Sequence, residues 1–206
     1  MVHELHSSLA KHVINRLRSK ETGAVEFRRL VGQLTLLLAD AAFGSTELHE
    51  TPLQTWQGER VFGMLREEEL VLVTIMRAGL PMLDAAMALF PKARAGFLAM
   101  KRDETTHEAA LYYDRVPDCE GRHVVLLDPM VATGGSLADA AALLYAKKPA
   151  KITSLNIIAA PEGLETVMRQ YPDLALYVAQ IDACLNDDKY IVPGLGDAGD
   201  RAFNTL

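Results

Sequence analysis

Apolar residues recur at helical spacing over residues 7–42. Leu9, Val13 and Leu17 form one narrow stripe; Phe27, Leu30, Val31, Leu34, Leu37, Leu38 and Ala41 form a wider one. Two helices are predicted, parted at Gly23 and stopped at Gly44. Residues 45–62 alternate loosely about Gln57-Gly58, the pattern of a small antiparallel hairpin. The pattern then changes. Residues 70–76 are continuously apolar, as in a strand buried on both faces. A helix follows over 80–90, with Met82, Leu83, Ala86, Met87 and Phe90 on one side, and a strand over 96–100. A polar loop (101–109) leads to an edge strand (110–116) and a buried strand (123–127). A helix over 136–147, a strand over 152–159, a helix opening on Pro161 and a last strand over 174–181 complete the pattern. Strands alternating with helices predict an α/β fold with a mostly parallel twisted sheet flanked by helices. Residues 1–206 are expected to form a single domain, with the helices of 7–43 and the hairpin of 45–62 as additions.

In such sheets ligands lie beyond the carboxyl ends of the strands. The loops opening at Arg77, Lys101, Asp128 and Ala160 therefore share one rim. The most informative of them is Asp128-Pro129-Met130-Val131-Ala132-Thr133-Gly134-Gly135-Ser136. A buried strand that breaks into small residues and then a helix gathers backbone N–H groups at the positive end of the helix dipole, which is a phosphate cradle. Thr133 and Ser136 add hydroxyls, and Asp128 suggests a phosphorylated compound with hydroxyls of its own, such as a sugar. The plainer alternative is a tight strand-to-helix turn capped by Ser136. No Gly-Lys-Ser or Gly-Lys-Thr follows, which disfavours a Walker-type NTPase site.

Three other segments carry candidate chemistry. Arg77, in Arg77-Ala78-Gly79, is a guanidinium fork at a helix start, where only an anion offsets the unfavourable dipole. Lys101-Arg102 places two cations at the rim, ready to grip a diphosphate, in front of a flap that closes over substrate. A solvated charge run is the competing account. Near the C-terminus, Gly194, Gly196 and Gly199 spell G-x-G-x-x-G, but too little chain follows for a βαβ unit. Residues 190–201 are read instead as a loop whose backbone groups line a pocket for a small flat heterocycle. Asp197 supplies a carboxylate there, and Asp200 pairs with Arg201 to hold the loop.

Composition narrows the setting. A net charge of −6 gives no general attraction to nucleic acid or anionic membrane, so an anionic ligand needs a local cationic patch. No apolar run is long enough to span a membrane. Met1-Val-His-Glu-Leu-His6 lacks a signal-peptide pattern, and two cysteines make no disulfide framework, so a cytoplasmic protein is expected. His3 and His6 are read as solvated residues of a mobile terminus rather than metal ligands.

Taken together, Asp128-Pro-Met-Val-Ala-Thr-Gly-Gly-Ser136, Arg77-Ala-Gly-Leu80 and Tyr190-Ile-Val-Pro-Gly-Leu-Gly-Asp-Ala-Gly-Asp-Arg201 closely resemble uracil phosphoribosyltransferases. The resemblance extends to Leu17-Arg18, Phe27-Arg28, Arg102-Asp103-Glu104, Ala160-Pro-Glu-Gly163 and Ile181-Asp182. It implies a phosphoribosyltransferase-like fold that makes UMP and diphosphate from uracil and 5-phosphoribosyl 1-diphosphate, usually with Mg²⁺ carried by the donor's diphosphate. It further implies that Asp128, Pro129, Met130, Val131, Ala132, Thr133, Gly134, Gly135 and Ser136 hold the ribose 5-phosphate and hydroxyls. Arg77 and Arg102 would meet the diphosphate. Ile191, Gly196, Asp197 and Ala198 would bind uracil. Asp197 would also face the donor and, with Arg102, act catalytically. The N-terminal helices and hairpin would serve as hood and contacts in a homodimer or dimer of dimers, and GTP activates some members. The chain departs from the usual pattern at Thr74, where proline is common, at Lys101, at Thr105-Thr106-His107, and at Lys189 and Asn204, where glycine is common. A base other than uracil, or a nucleotide-sensing regulator that binds RNA, are the competing functions.

Overall fold

The computed structural model describes residues 1–102 and 109–205, with side chains given for all of these except 101, 102 and 109–112. The expected flap at 103–108 and the side chains of Lys101 and Arg102 lie outside the described residues. In chain order the elements are β1 (Val2–Glu4), α1 (Ser8–Arg18), α2 (Ala24–Phe43), β2 (His49–Thr55), β3 (Gly58–Met64) and β4 (Leu70–Met76). Next come α3 (Leu80–Leu89), β5 (Arg94–Arg102), β6 (Ala109–Arg115), β7 (His123–Leu127), β8 (Met130–Val131) and α4 (Gly135–Tyr145). The chain ends with β9 (Lys151–Ala159), α5 (Pro161–Gln170), β10 (Ala175–Ile181), β11 (Cys184–Leu185), β12 (Ile191–Val192) and α6 (Ala198–Phe203).

The main sheet runs β1-β10-β9-β7-β4-β5-β6, with β8 also on β9. Every pairing in it is parallel except β5 with β6. Alternate residues of the central strands point to opposite layers. Leu70, Leu72, Val125 and Leu127 join α1, α2, α3 and α6 in one apolar cluster. Val71, Val73, Val124 and Leu126 join α4 and α5 in the other. The two N-terminal helices thus form much of one covering layer. Their burial explains why 7–42 reads so apolar.

Local details differ from the sequence reading. In α1 the buried positions are Ala10, Val13, Ile14 and Leu17, while Leu9 is 58% exposed. The stripe lies one residue further along, because Ala10 and Ile14 complete an i, i+3, i+4, i+7 face that Leu9 does not join. Met87 likewise points outward from α3. The first residues are an ordered edge strand: β1 pairs with β10, and the His3 ring stacks on Tyr177 at 4.6 Å. Three residues are too few to show a period, and the open edge of β10 supplies what the local pattern lacks. The hairpin occupies 49–64, joined by Trp56-Gln57. Strand 174–181 is not the last, since β11, β12 and α6 follow it.

Two departures from the family pattern have a backbone explanation. Lys189 and Asn204 have φ of 65° and 54°, the left-handed region that glycine enters without penalty. Asn tolerates that region better than Lys. Lys189→Gly is therefore expected to raise stability by about 0.5–1 kcal/mol in urea unfolding, with Asn204→Gly closer to neutral.

Candidate active site

The site begins where β7 stops. Pro129 has no N–H to give a ladder, so the central strand is interrupted at Asp128-Pro129. It resumes as β8 in the same register to β9: Leu127 faces Leu155, and Met130 faces Ile158. The Pro129 carbonyl accepts from both Ile157 and Ile158 N–H at 3.0 Å. Asn156 Nδ2 donates to the Asp128 carbonyl at 2.7 Å, and from the other side the Thr74 hydroxyl points at the Leu127 carbonyl at 3.4 Å.

The loop then turns into α4 through Gly134, at φ 83°. The N-cap residue Gly134 has no side chain to cap the helix, so its first-turn amides face the space in front of them. The loop is braced from behind by the first turn of α5. A Cβ on Gly163 would overlap the Ala132 carbonyl, and one on Gly134 would crowd the Gly163 carbonyl. This close approach gives Gly163 a physical role.

A pocket of about 750 Å³ lies over this rim. One wall is Asp128, Met130 and the 131–137 turn; a second is Ile75, Met76 and Ala78 after β4; a third is residues 186–197. Of the residues expected to bind the donor, Asp128, Met130, Val131, Ala132, Thr133, Gly134, Ser136 and Asp197 line it. Of those expected to bind the base, Ile191, Gly196 and Asp197 do. Pro129, Gly135 and Ala198 stand behind the lining. Arg77 stands outside it, with its guanidinium 2.9 Å from Asp200 and 3.1 Å from the Thr205 hydroxyl. The anion that offsets this cation at the start of α3 is thus supplied by the protein itself. The expected Asp200–Arg201 pair is not formed. Arg201 instead donates to the carbonyls of Leu195 at 2.7 Å and Ser19 at 2.6 Å, and lies over the Phe27 ring at 4.6 Å.

The third wall is fixed from below. Arg18, at the end of α1, grips buried Asp182 with two hydrogen bonds, of 2.8 and 2.6 Å. Asp182 accepts from the Gly194 N–H at 3.0 Å, while Arg18 also donates to the Gly194 carbonyl. Gly194 has φ 60°, and a Cβ there would overlap the Ile191 carbonyl. Asp197 caps α6, accepting from the Asp200 N–H at 2.8 Å. Residues 198–201, read as the end of the loop, instead open this short helix, Ala198–Phe203.

Burial raises the Asp128 carboxyl to about 7, opposed by a hydrogen bond from the Met130 N–H. Among the described residues the other large shift is at His123, at the far end of β7, whose Nε2 lies 2.9 Å from the Thr153 hydroxyl. Burial, reinforced by Lys151, lowers its pKa to about 4. Asn156, Ser154, Arg18 and Asp182 were given no role by sequence reasoning. For Asn156 and Ser154 the available signal was polar residues inside the otherwise apolar run of β9; Arg18 and Asp182 stood only within the motifs that carry the resemblance.

The fold is shared with phosphoribosyltransferases. A hypoxanthine phosphoribosyltransferase from Staphylococcus aureus superposes with a TM-score of 0.53 at 14% identity, covering 84% of this chain and 82% of its own. The family model described as uracil phosphoribosyltransferase matches residues 4–205, and the chain belongs to that family. A uracil phosphoribosyltransferase from Aquifex aeolicus is 42% identical over 203 residues, 98% of each chain. A solved protein structure from the same organism has a TM-score of 0.96 at 41% identity, covering 100% of this chain and 99% of its own.

Two predictions follow from packing and charge. Gly163→Ala is expected to cost about 1–3 kcal/mol and to displace the donor loop, seen as lower stability in urea together with weaker donor binding. The second concerns pH. Folded Asp128 titrates near 7 against an ordinary 3.8, so its contribution to stability falls as pH rises between those values. Folded His123 titrates near 4 against 6.5, so its contribution falls as pH drops from 6.5 toward 4. The two offset each other. Between pH 4.5 and 6.5 Asp128→Asn should therefore gain stability more steeply with pH than the parent protein, and His123→Gln should lose it. Parallel urea-unfolding profiles for all three would contradict these assignments.

Proposed function

We propose that the protein transfers the phosphoribosyl group of 5-phosphoribosyl 1-diphosphate to uracil, giving UMP and diphosphate. The observation that carries this reading is one pocket with two unlike walls: a helix N-terminus with a buried carboxylate, facing the loop of residues 186–197. The amides of 132–136 take the 5-phosphate, and Asp128 takes the ribose hydroxyls. Backbone groups of Ile191–Gly196 that Arg18, Asp182 and Arg201 leave free read the alternating N–H and C=O edge of uracil. With both substrates in one pocket, the uracil N1 lies against the ribose C1, which supplies proximity.

The bond from C1 to the diphosphate oxygen breaks as the bond from N1 to C1 forms. Positive charge on the ribose grows while negative charge gathers on the departing diphosphate. Arg102, at the end of β5 on the same rim, stabilises that negative charge. Arg77 joins it by exchanging Asp200 for the diphosphate, a small cost for a half-exposed ion pair. Asp197, at the pocket wall, accepts the N1 proton.

Mg²⁺ belongs to the donor. Among the described residues no three His, Cys, Asp or Glu side chains gather to hold an ion, and Asp128 by itself is too small a ligand set for a resident Mg²⁺. Bound to the diphosphate, the ion neutralises the leaving group. The hairpin supports self-association: every residue of β3 is exposed, with Val61, Phe62 and Trp56 (92% exposed) among its apolar surface.

Incubation with uracil, the donor and Mg²⁺ is expected to yield UMP and diphosphate in equal amounts. Product with another base in preference to uracil would replace the acceptor and leave the donor site standing. Arg102→Ala should lower turnover on the order of 100-fold while changing uracil affinity little. Unchanged turnover would remove Arg102 from the mechanism.

A further inference from the structure

Strand β9 carries polar side chains where the sheet is covered on both faces. Thr153, Ser154 and Asn156 are all 0% exposed. Asn156 is the register partner of Asp128, because β7 and β8 hold one register to β9 on either side of it. In an unbroken parallel ladder the Asp128 carbonyl would accept the Ile157 N–H. Here the Pro129 carbonyl takes the N–H of both Ile157 and Ile158. The Asp128 carbonyl is left without a ladder donor, and Asn156 Nδ2 fills the place at 2.7 Å.

The direction of the Asn156 amide is set in turn. Its Oδ1 accepts from the Ser154 hydroxyl at 2.9 Å, so the nitrogen is the atom that faces Asp128. On the other side of the residue, the Asp128 N–H donates to the Leu155 carbonyl at 3.3 Å. Both peptide units flanking Asp128 are thus held by β9. Asp128 lines the pocket, whereas Asn156 and Ser154 do not.

We propose that Asn156, oriented by Ser154, is the positioning residue of the donor pocket: it fixes the Asp128 peptide and so aims that carboxylate at the ribose hydroxyls, without touching the donor. An apolar residue at 156 would leave a buried carbonyl unpaired. The peptide would turn toward the Ile157 N–H, and the carboxylate would turn with it. The proposal rests on the assignment of Asp128 to the ribose, and its calorimetric readout needs no acceptor base.

The test is titration calorimetry of 5-phosphoribosyl 1-diphosphate with Mg²⁺, paired with steady-state constants for both substrates. Asn156→Leu keeps the branched heavy-atom skeleton and removes the hydrogen-bonding groups. Its donor Kd should rise about tenfold, the scale of a small misplacement of a binding group, while the KM for uracil changes less than about twofold. Ser154→Ala should show the same pattern at about threefold. In an Asp128→Asn background, Asn156→Leu should add less than about twofold, because its effect passes through Asp128. An unchanged donor Kd, or an equal loss with and without the Asp128 carboxylate, overturns the proposal. If Asn156→Leu does not fold, Ser154→Ala alone and in the Asp128→Asn background decides by the same readings. A parent protein that binds the donor but makes no UMP refutes only the acceptor, and one that binds no donor refutes the pocket assignment itself.

Discussion

A proline in the middle of the central strand is the constraint around which the site is arranged. Pro129 cannot give a ladder N–H, so a strand flanked by β4 and β9 must open there. Opening a buried strand leaves backbone groups that need partners. The neighbouring strands supply them: Ile157 and Ile158 reach the Pro129 carbonyl, Asn156 reaches Asp128, and Thr74 faces Leu127 from the opposite side. Because β8 recovers the original register, the interruption stays local. It exposes one carboxylate and one helix N-terminus at the rim, without loosening the sheet that carries them.

The 186–197 wall of the pocket rests on a different interaction. Arg18 and Asp182 are far apart in sequence but form a bidentate pair, with the Asp182 side chain wholly buried. Burying two charges gives little net stability, since desolvation offsets the attraction. Its use here is geometric. The same two side chains hold both the N–H and the carbonyl of Gly194, so the 191–196 backbone is presented in one conformation. Arg201 repeats the arrangement one residue on, holding the Leu195 carbonyl together with that of Ser19 just past α1. The N-terminal helix layer is thus tied directly to the 191–196 loop, which gives those helices a part in the pocket wall beyond covering the sheet.

Much of the architecture was legible in the sequence. Continuous apolar runs such as 70–76 and 123–127 marked strands buried on both faces, and helices between them required parallel crossovers. The turn between β7 and α4 was legible because small residues between an apolar run and a helical pattern mark a tight strand-to-helix connection. Elements of two or three residues were not, since β1, β8, β11 and β12 are too short to show a period. Ion-pair partners were not legible either. Asp200 neighbours Arg201 in sequence, yet folding sets it against Arg77, and Arg201 turns to carbonyls. Asn156 was hidden for a related reason: its role depends on a gap in β7, which is visible only once the two strands are placed side by side.

Determination of the structure with UMP bound tests the central claim most directly. The account predicts the phosphate within hydrogen-bond distance of backbone N–H groups of residues 132–136, the ribose hydroxyls on the Asp128 carboxylate, and the uracil edge against the 191–196 backbone. UMP bound elsewhere, or bound here with the base at the helix N-terminus and the phosphate on the 191–196 loop, would contradict it.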